Sequence, residues 1–215
     1  QMPLVPGVTI NRYCSSSLMS IRMAHHAIKA GEGDVFIAAG VETVSRFLSG
    51  MADSGPHNPL YAAAEARTAE RTGAPQDSWA PIAGSLPDVY ISMGQTAENV
   101  ANLEQVSRQE QDEFAALSQQ RATASLENGF WEAEITPVTT KDDEGNEVVV
   151  AKDDGIRAGT TAEGLAGLKP AFRADGTVTA GNACPLNDGA AAVVVMSDTR
   201  AAELGLTPLA RIVSS

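Results

Sequence analysis

Apolar runs gather at the two ends of this chain and thin out in its middle. Near the start, Val8-Thr9-Ile10 is a short β-type run, and Cys14-Ser15-Ser16-Ser17 follows it. Beyond lie apolar positions at Leu18, Ile21, Ala24 and Ile28, a spacing that keeps one helix face apolar. Gly31 stands where a left-handed, helix-ending residue belongs. Residues 34–40, Asp-Val-Phe-Ile-Ala-Ala-Gly, are a continuous apolar stretch that predicts a strand buried on both faces of a sheet. Residues 190–196 are a second such run, followed by Ser197 and a short helix ending at Gly205. Residues 209–213 read as the beginning of one more strand.

The middle follows another pattern. From Ser49 to about Asp88 the chain turns to Gly, Pro, Ser, Asn and Ala, with a helical piece over residues 61–71. A helix is expected to follow Met93-Gly94-Gln95. Ser107-Arg108-Gln109-Glu110 is a capping-box sequence and opens a helix that ends at Gly129. Residues 142–146, Asp-Asp-Glu-Gly-Asn, predict a hairpin turn before Glu147-Val148-Val149-Val150, and Thr177-Val178-Thr179 leads into a small-residue turn over 180–184. This pattern predicts one α/β domain, residues 1–45 with 186–215, interrupted by an inserted domain over residues 46–185.

Composition narrows the field. The 215 residues are 43% apolar and 20% charged, enough for a sizeable core. The 15 basic and 27 acidic side chains leave a net charge of −12, which argues against nucleic-acid binding or a basic membrane surface. Between residues 101 and 150 eleven acidic groups face three basic ones, whereas the first fifty residues hold four basic and three acidic. The acidity is therefore expected on a solvent-facing middle region. No apolar run approaches the roughly 20 residues of a membrane-spanning helix, and Gln1-Met2-Pro3 shows no signal-peptide pattern. Two cysteines, Cys14 and Cys184, are too few for a disulfide scaffold and point to a reducing, cytoplasmic setting. They form no metal-ligand set with the histidines. The start without Met and the strand-like end fit a portion of a longer protein.

Cys14 is the residue that suggests chemistry. At the mouth of a helix, unpaired backbone N–H groups and the positive end of the helix dipole favour an anionic sulfur. Position alone leaves two readings, a nucleophile or a structural cysteine buried at a strand-to-helix turn. A catalytic thiol usually needs a base. His25 and His26 lie eleven and twelve residues along the same helix, roughly 16–18 Å away at about 1.5 Å per residue. His57 stands in the Gly/Pro-flanked excursion and reads as a surface histidine. The residues by themselves establish no Cys-His pair.

Three segments add to this. Asn11-Arg12-Tyr13-Cys14-Ser15-Ser16, Met93-Gly94-Gln95-Thr96-Ala97-Glu98-Asn99-Val100, and Gly176-Thr177-Val178-Thr179-Ala180-Gly181-Asn182-Ala183 with Asn187-Asp188-Gly189-Ala190-Ala191 closely resemble the thiolases in order and spacing. That family comprises the acetyl-CoA acetyltransferases and 3-ketoacyl-CoA thiolases, and the likeness covers nearly all of the chain apart from residues 49–83. It implies a layered αβαβα half with an inserted, CoA-binding loop domain. Cys14 would accept the acyl group as a thioester. Ser92 and Met93 would lie near the pantetheine and acyl part of the ligand and Arg157 near the nucleotide. Gly164, Phe172, Ala180 and Cys184 match further positions along that channel. CoA would be a substrate, with no metal or redox cofactor. Homodimers or homotetramers, a β-oxidation partner subunit and a place in fatty-acid metabolism are implied by the same resemblance.

The chain also departs from the family. Ser17 stands where thiolases commonly have Gly or another small residue, and Cys14-Ser15-Ser16-Ser17-Leu18 is also similar to the ketoacyl synthases. Cys184 replaces a familiar Ser, and Ser92 stands where short-chain members often have His. The family's second half brings an Asn, a Gly-His-Pro histidine and a Cys-x-Gly-Gly-Gly cysteine, and these motifs do not occur in the 215 residues. The chain by itself is therefore expected to lack thiolase turnover. Alternatives are a ketoacyl synthase-like condensing enzyme and a non-catalytic CoA-binding homologue.

Overall fold

A computed structural model describes residues 4–46 and 55–215. The chain divides into two compact units, Gln1–Asp53 with Leu186–Ser215, and Ser54–Pro185. The expected change of composition at Ser49 lies outside the described residues.

The first unit is a helix on a two-stranded sheet. Helix α1 spans Ser16–Ala30 and ends at Gly31, whose φ of 75° is the left-handed conformation expected there. Strand β1, Val35–Glu42, pairs antiparallel with strand β4, Gly189–Met196, from Val35 opposite Met196 to Glu42 opposite Gly189. Burial along β1 alternates, with Phe36, Ala38 and Gly40 the more covered positions. These face α1, and a Cβ on Gly40 would overlap the Ser17 hydroxyl. On the opposite face, Ile37, Val41 and Val194 are 68%, 75% and 60% exposed. The expectation that both strands are buried on two faces is thus corrected. An apolar sequence fixes strand propensity, but α1 covers only one side.

Two further expectations are corrected. Residues 8–10 and 209–213 form no strand, because neither segment finds a neighbouring strand among the described residues with which to exchange backbone hydrogen bonds. After β4, Ser197 caps helix α7, Asp198–Glu203, by accepting from the Arg200 N–H. Asp188, just before β4, accepts from both the backbone N–H and the hydroxyl of Ser45, at 2.8 and 2.6 Å. These bonds hold its carboxyl below the ordinary Asp range.

The second unit is mainly helical. It contains α2 (Ala62–Arg71), α3 (Met93–Leu103), α4 (Arg108–Glu127), α5 (Phe130–Glu134) and α6 (Ala162–Ala166), with a hairpin of β2 (Val138–Lys141) and β3 (Glu147–Val150). The Ser107 and Glu110 side chains form the expected reciprocal cap at the start of α4. That helix ends at Glu127, and Gly129 in the left-handed conformation turns the chain into α5. The unit's interior is unusually polar. Glu98, Asp112 and Arg173 are each 2% exposed, beside Trp79, Leu165 and Val178. The acidic middle is solvent-facing as expected at ten of its eleven carboxylates; the exception is Asp112, whose carboxylate is paired with Arg108 at 2.7 Å and with the Asn182 amide at 3.0 Å.

Candidate functional site

Cys14 sits in a short turn that leads into α1. Ser15 is the N-cap and Ser16 the first helical residue, so the thiol stands two positions ahead of the helix. The turn is closed by its own bonds. Ser15 N–H donates to the Arg12 carbonyl and Ser16 N–H to that of Tyr13. The Ser16 hydroxyl accepts from Arg12 N–H and donates to the Tyr13 carbonyl, both at 2.7 Å. Asn11 Oδ1 accepts from Tyr13 N–H at 3.0 Å.

Tyr13 itself has φ of 51°. A non-glycine residue in this region costs on the order of 1–3 kcal/mol and persists only where its surroundings impose it. The five bonds above impose it here. Ser15 makes no side-chain cap, which leaves the amide end of α1 without a capping hydroxyl. Cys14 is exposed, so it is not the buried structural cysteine that its position also allowed. His25 and His26 lie well along α1, and the His26 Nε2 is 3.1 Å from the Ser215 hydroxyl.

The other sequence-selected residues belong to the second unit, on loops or helix ends. Ser92 is the N-cap of α3, its oxygen accepting from Gln95 N–H at 3.4 Å, and Met93 beside it is 71% exposed. The Phe172 ring lies against Gly94 so closely that a Cβ there would overlap it, and Gln95 Nε2 donates to the Phe172 carbonyl at 3.0 Å. Gly164 lies in α6, its N–H held by the Thr161 hydroxyl. Ala180 and Cys184 are exposed, on either side of Asn182. The Asn182 side chain accepts from Thr179 N–H and donates to the Thr177 carbonyl and Asp112. Arg157 is exposed, and its guanidinium forms no ion pair among the described residues. Thus Gly94 and Phe172 come together next to Met93, whereas Arg157 stands on a loop of its own.

Sequence reasoning passed over the groups that hold these loops. Glu98 accepts from the N–H groups of Thr177 and Val178 at 2.9 and 2.8 Å and from the Thr177 hydroxyl at 3.1 Å. Arg173 donates to Gln95, to Asn99 and, through a short contact, to Gln76, and it lies 4.9 Å over the Trp79 ring. Burial pushes the Arg173 guanidinium down from its ordinary range, and the charges of Glu98 and Asp175 pull it back. His57 is engaged elsewhere, 2.8 Å from Glu65 and stacked on Tyr90. No group of three or more His, Cys, Asp or Glu able to hold a metal occurs among the described residues. Nor is any described helix long and apolar enough to cross a membrane.

The chain is similar to known proteins along almost all of its length. It is 44% identical over 212 residues to an acetyl-CoA acetyltransferase of Pseudomonas aeruginosa, covering 98% of this chain and 51% of that protein. It is 40% identical over 208 residues to a probable acetyl-CoA acyltransferase of Staphylococcus aureus, with 96% and 50% covered. Among solved structures, an acetyl-CoA acetyltransferase of Bacillus anthracis matches with a TM-score of 0.68 at 39% identity, over 95% of this chain and 49% of that one. The dimeric peroxisomal thiolase of Saccharomyces cerevisiae matches with a TM-score of 0.69 at 34% identity, with 92% and 45% covered. The chain spans about half the length of the curated relatives it matches. The family model "Thiolase, N-terminal domain" matches residues 2–199, and with its α/β fold the chain belongs to the thiolase family.

Proposed function

We propose that this chain carries the acyl-accepting half of an acyl-CoA C-acyltransferase of thiolase type, with Cys14 as the nucleophile. The observation that carries the reading is the exposed Cys14 in its locked turn before α1. A sulfur there is open to substrate and stands two positions ahead of a helix whose first turn has no capping side chain, free to attack a thioester carbonyl. In the first half-reaction the Cys14 sulfur bonds to the acyl carbonyl carbon, and what leaves is CoA thiolate from an acyl-CoA or, as the carbon–carbon bond of a 3-ketoacyl-CoA breaks, the α-carbon of acetyl-CoA, which takes up a proton. In the second, a CoA thiolate (completing cleavage) or the α-carbon of acetyl-CoA after loss of a proton (completing condensation) attacks the acyl-enzyme, releasing the Cys14 sulfur.

CoA serves as substrate on loops of the second unit. Ser92, Met93 and Phe172 face its pantetheine and acyl part, Gly164, Ala180 and Cys184 line the path, and Arg157 meets its phosphates, to which a guanidinium is matched in charge and shape. The names of the relatives support acyl-CoA chemistry, and the dimeric yeast thiolase supports assembly as a homo-oligomer. A cytoplasmic setting and a role in β-oxidation complete the reading.

One measurement tests it on the 215-residue chain. Prolonged incubation with acetyl-CoA should leave one acetyl group, which peptide mapping assigns to Cys14 and free CoA removes. Acetylation of Cys184 alone, or of neither cysteine, overturns the assignment.

A further inference from the structure

Helix α4 presents one row of polar side chains to the loops of the second unit. Arg108 donates to the carbonyls of Leu165 and Leu168, Gln111 to the Thr177 hydroxyl, and Asp112 accepts from Asn182. Residues spaced in this way share a helix face, and the last member of the row is Gln119. Its Oε1 accepts from the Arg157 N–H at 2.8 Å, and its Nε2 donates to the Gly155 carbonyl at 3.3 Å. On the other side of the same residue, the Thr160 hydroxyl donates to the Arg157 carbonyl at 2.8 Å. The backbone of Arg157 is therefore fastened through its N–H and its carbonyl, while its guanidinium is exposed and forms no ion pair or hydrogen bond among the described residues. A long, unpaired cation on a fastened peptide is arranged to meet an anion from outside, with less of the ordering cost that a free loop would bear.

We infer that Gln119 and Thr160 are positioning residues for Arg157, fixing the peptide from which its guanidinium reaches the phosphates of CoA without themselves touching the ligand. The inference rests on the proposed CoA-binding role of Arg157 and adds the groups that aim it.

The test is calorimetric binding of CoA, and of pantetheine, which lacks the nucleotide, to the 215-residue chain and its variants. Arg157→Ala should weaken CoA about tenfold, as expected for loss of a charge-assisted phosphate contact. Gln119→Met keeps the side chain's bulk but removes both bonds, and should weaken CoA about three- to tenfold. The double variant should fall within about twofold of Arg157→Ala, because the two changes act through one contact. Pantetheine affinity should stay within about twofold throughout, which a general loosening of the unit would not allow. If Gln119→Met unfolds the unit, Thr160→Val removes the hydroxyl bond to the Arg157 carbonyl with little change in shape, leaving only the longer Thr160 N–H bond at 3.4 Å, and carries the same comparison. A wild-type CoA affinity in the folded Gln119 or Thr160 variant, with Arg157→Ala weakened, overturns the positioning role alone, as does full additivity in the double variant. An unchanged Arg157→Ala overturns the CoA-binding role of Arg157 and the inference with it.

Discussion

The carboxylate of Glu98 faces three donors on Thr177 and Val178 and is 2% exposed. It fastens α3, which follows Ser92, to the strip of chain that runs into Ala180 and Cys184. Gln at this position keeps the shape but replaces one acceptor oxygen with an N–H₂ group pointed at backbone donors. A buried donor without a partner costs more than a lost average bond. Glu98→Gln should therefore lower the unfolding free energy by about 2–3 kcal/mol, read from urea denaturation of the chain. A change below about 0.5 kcal/mol, the size of an ordinary surface substitution, would show the site to be slack. Little of this is legible in the sequence. The segment from Met93 to Val100 carries the family resemblance, yet a Glu in a helix reads as solvated. Its burial depends on partners about eighty positions further along, which local pattern does not encode.

Elements divide along the same line. The apolar spacing of α1, its Gly31 terminus, the Ser107–Glu110 cap and the turn of the β2–β3 hairpin are local matters of dihedral preference and near-neighbour bonds, and each appears where the sequence puts it. The polar row of α4 was hidden because Arg108, Asp112 and Gln119 look like any exposed helix surface until the loops that cover them are in place. At the helix–sheet contact, Ser17 departs from the family's small residue, and Gly40 on β1 supplies the room. A methyl group at position 40 would meet both the Ser17 hydroxyl and its Cβ. Gly40→Ala should therefore destabilise the first unit by about 1–3 kcal/mol, the usual range for overpacking a filled contact. Gly40→Ala combined with Ser17→Gly should recover most of that loss. Equal thermal midpoints for wild type and Gly40→Ala would mean that Ser17 turns aside freely and that the contact does not set the α1–β1 spacing.

At the scale of the whole molecule, neither histidine of the thiol's own unit stands beside it. The histidines on the thiol's own unit lie eleven and twelve residues along α1, roughly 16–18 Å from Cys14 by helical rise. The remaining histidine is bonded to Glu65 and stacked on Tyr90, and the Gly-His-Pro and Cys-x-Gly-Gly-Gly motifs do not occur in the 215 residues. General acid–base catalysis contributes about 10²–10⁴ in rate, and an oxyanion-hole donor about 10²–10³. A chain that lacks both motifs is expected to keep thiol reactivity at Cys14 without the help such groups give in moving an α-carbon proton. The purified 215-residue chain should therefore alkylate at Cys14 yet cleave acetoacetyl-CoA at least about 10⁴-fold more slowly than the related acetyltransferases. The measurement is CoA-dependent loss of the acetoacetyl-CoA enolate absorbance, run beside Cys14→Ser. Cleavage that approaches the relatives' rate and disappears in Cys14→Ser would place a sufficient base within these 215 residues.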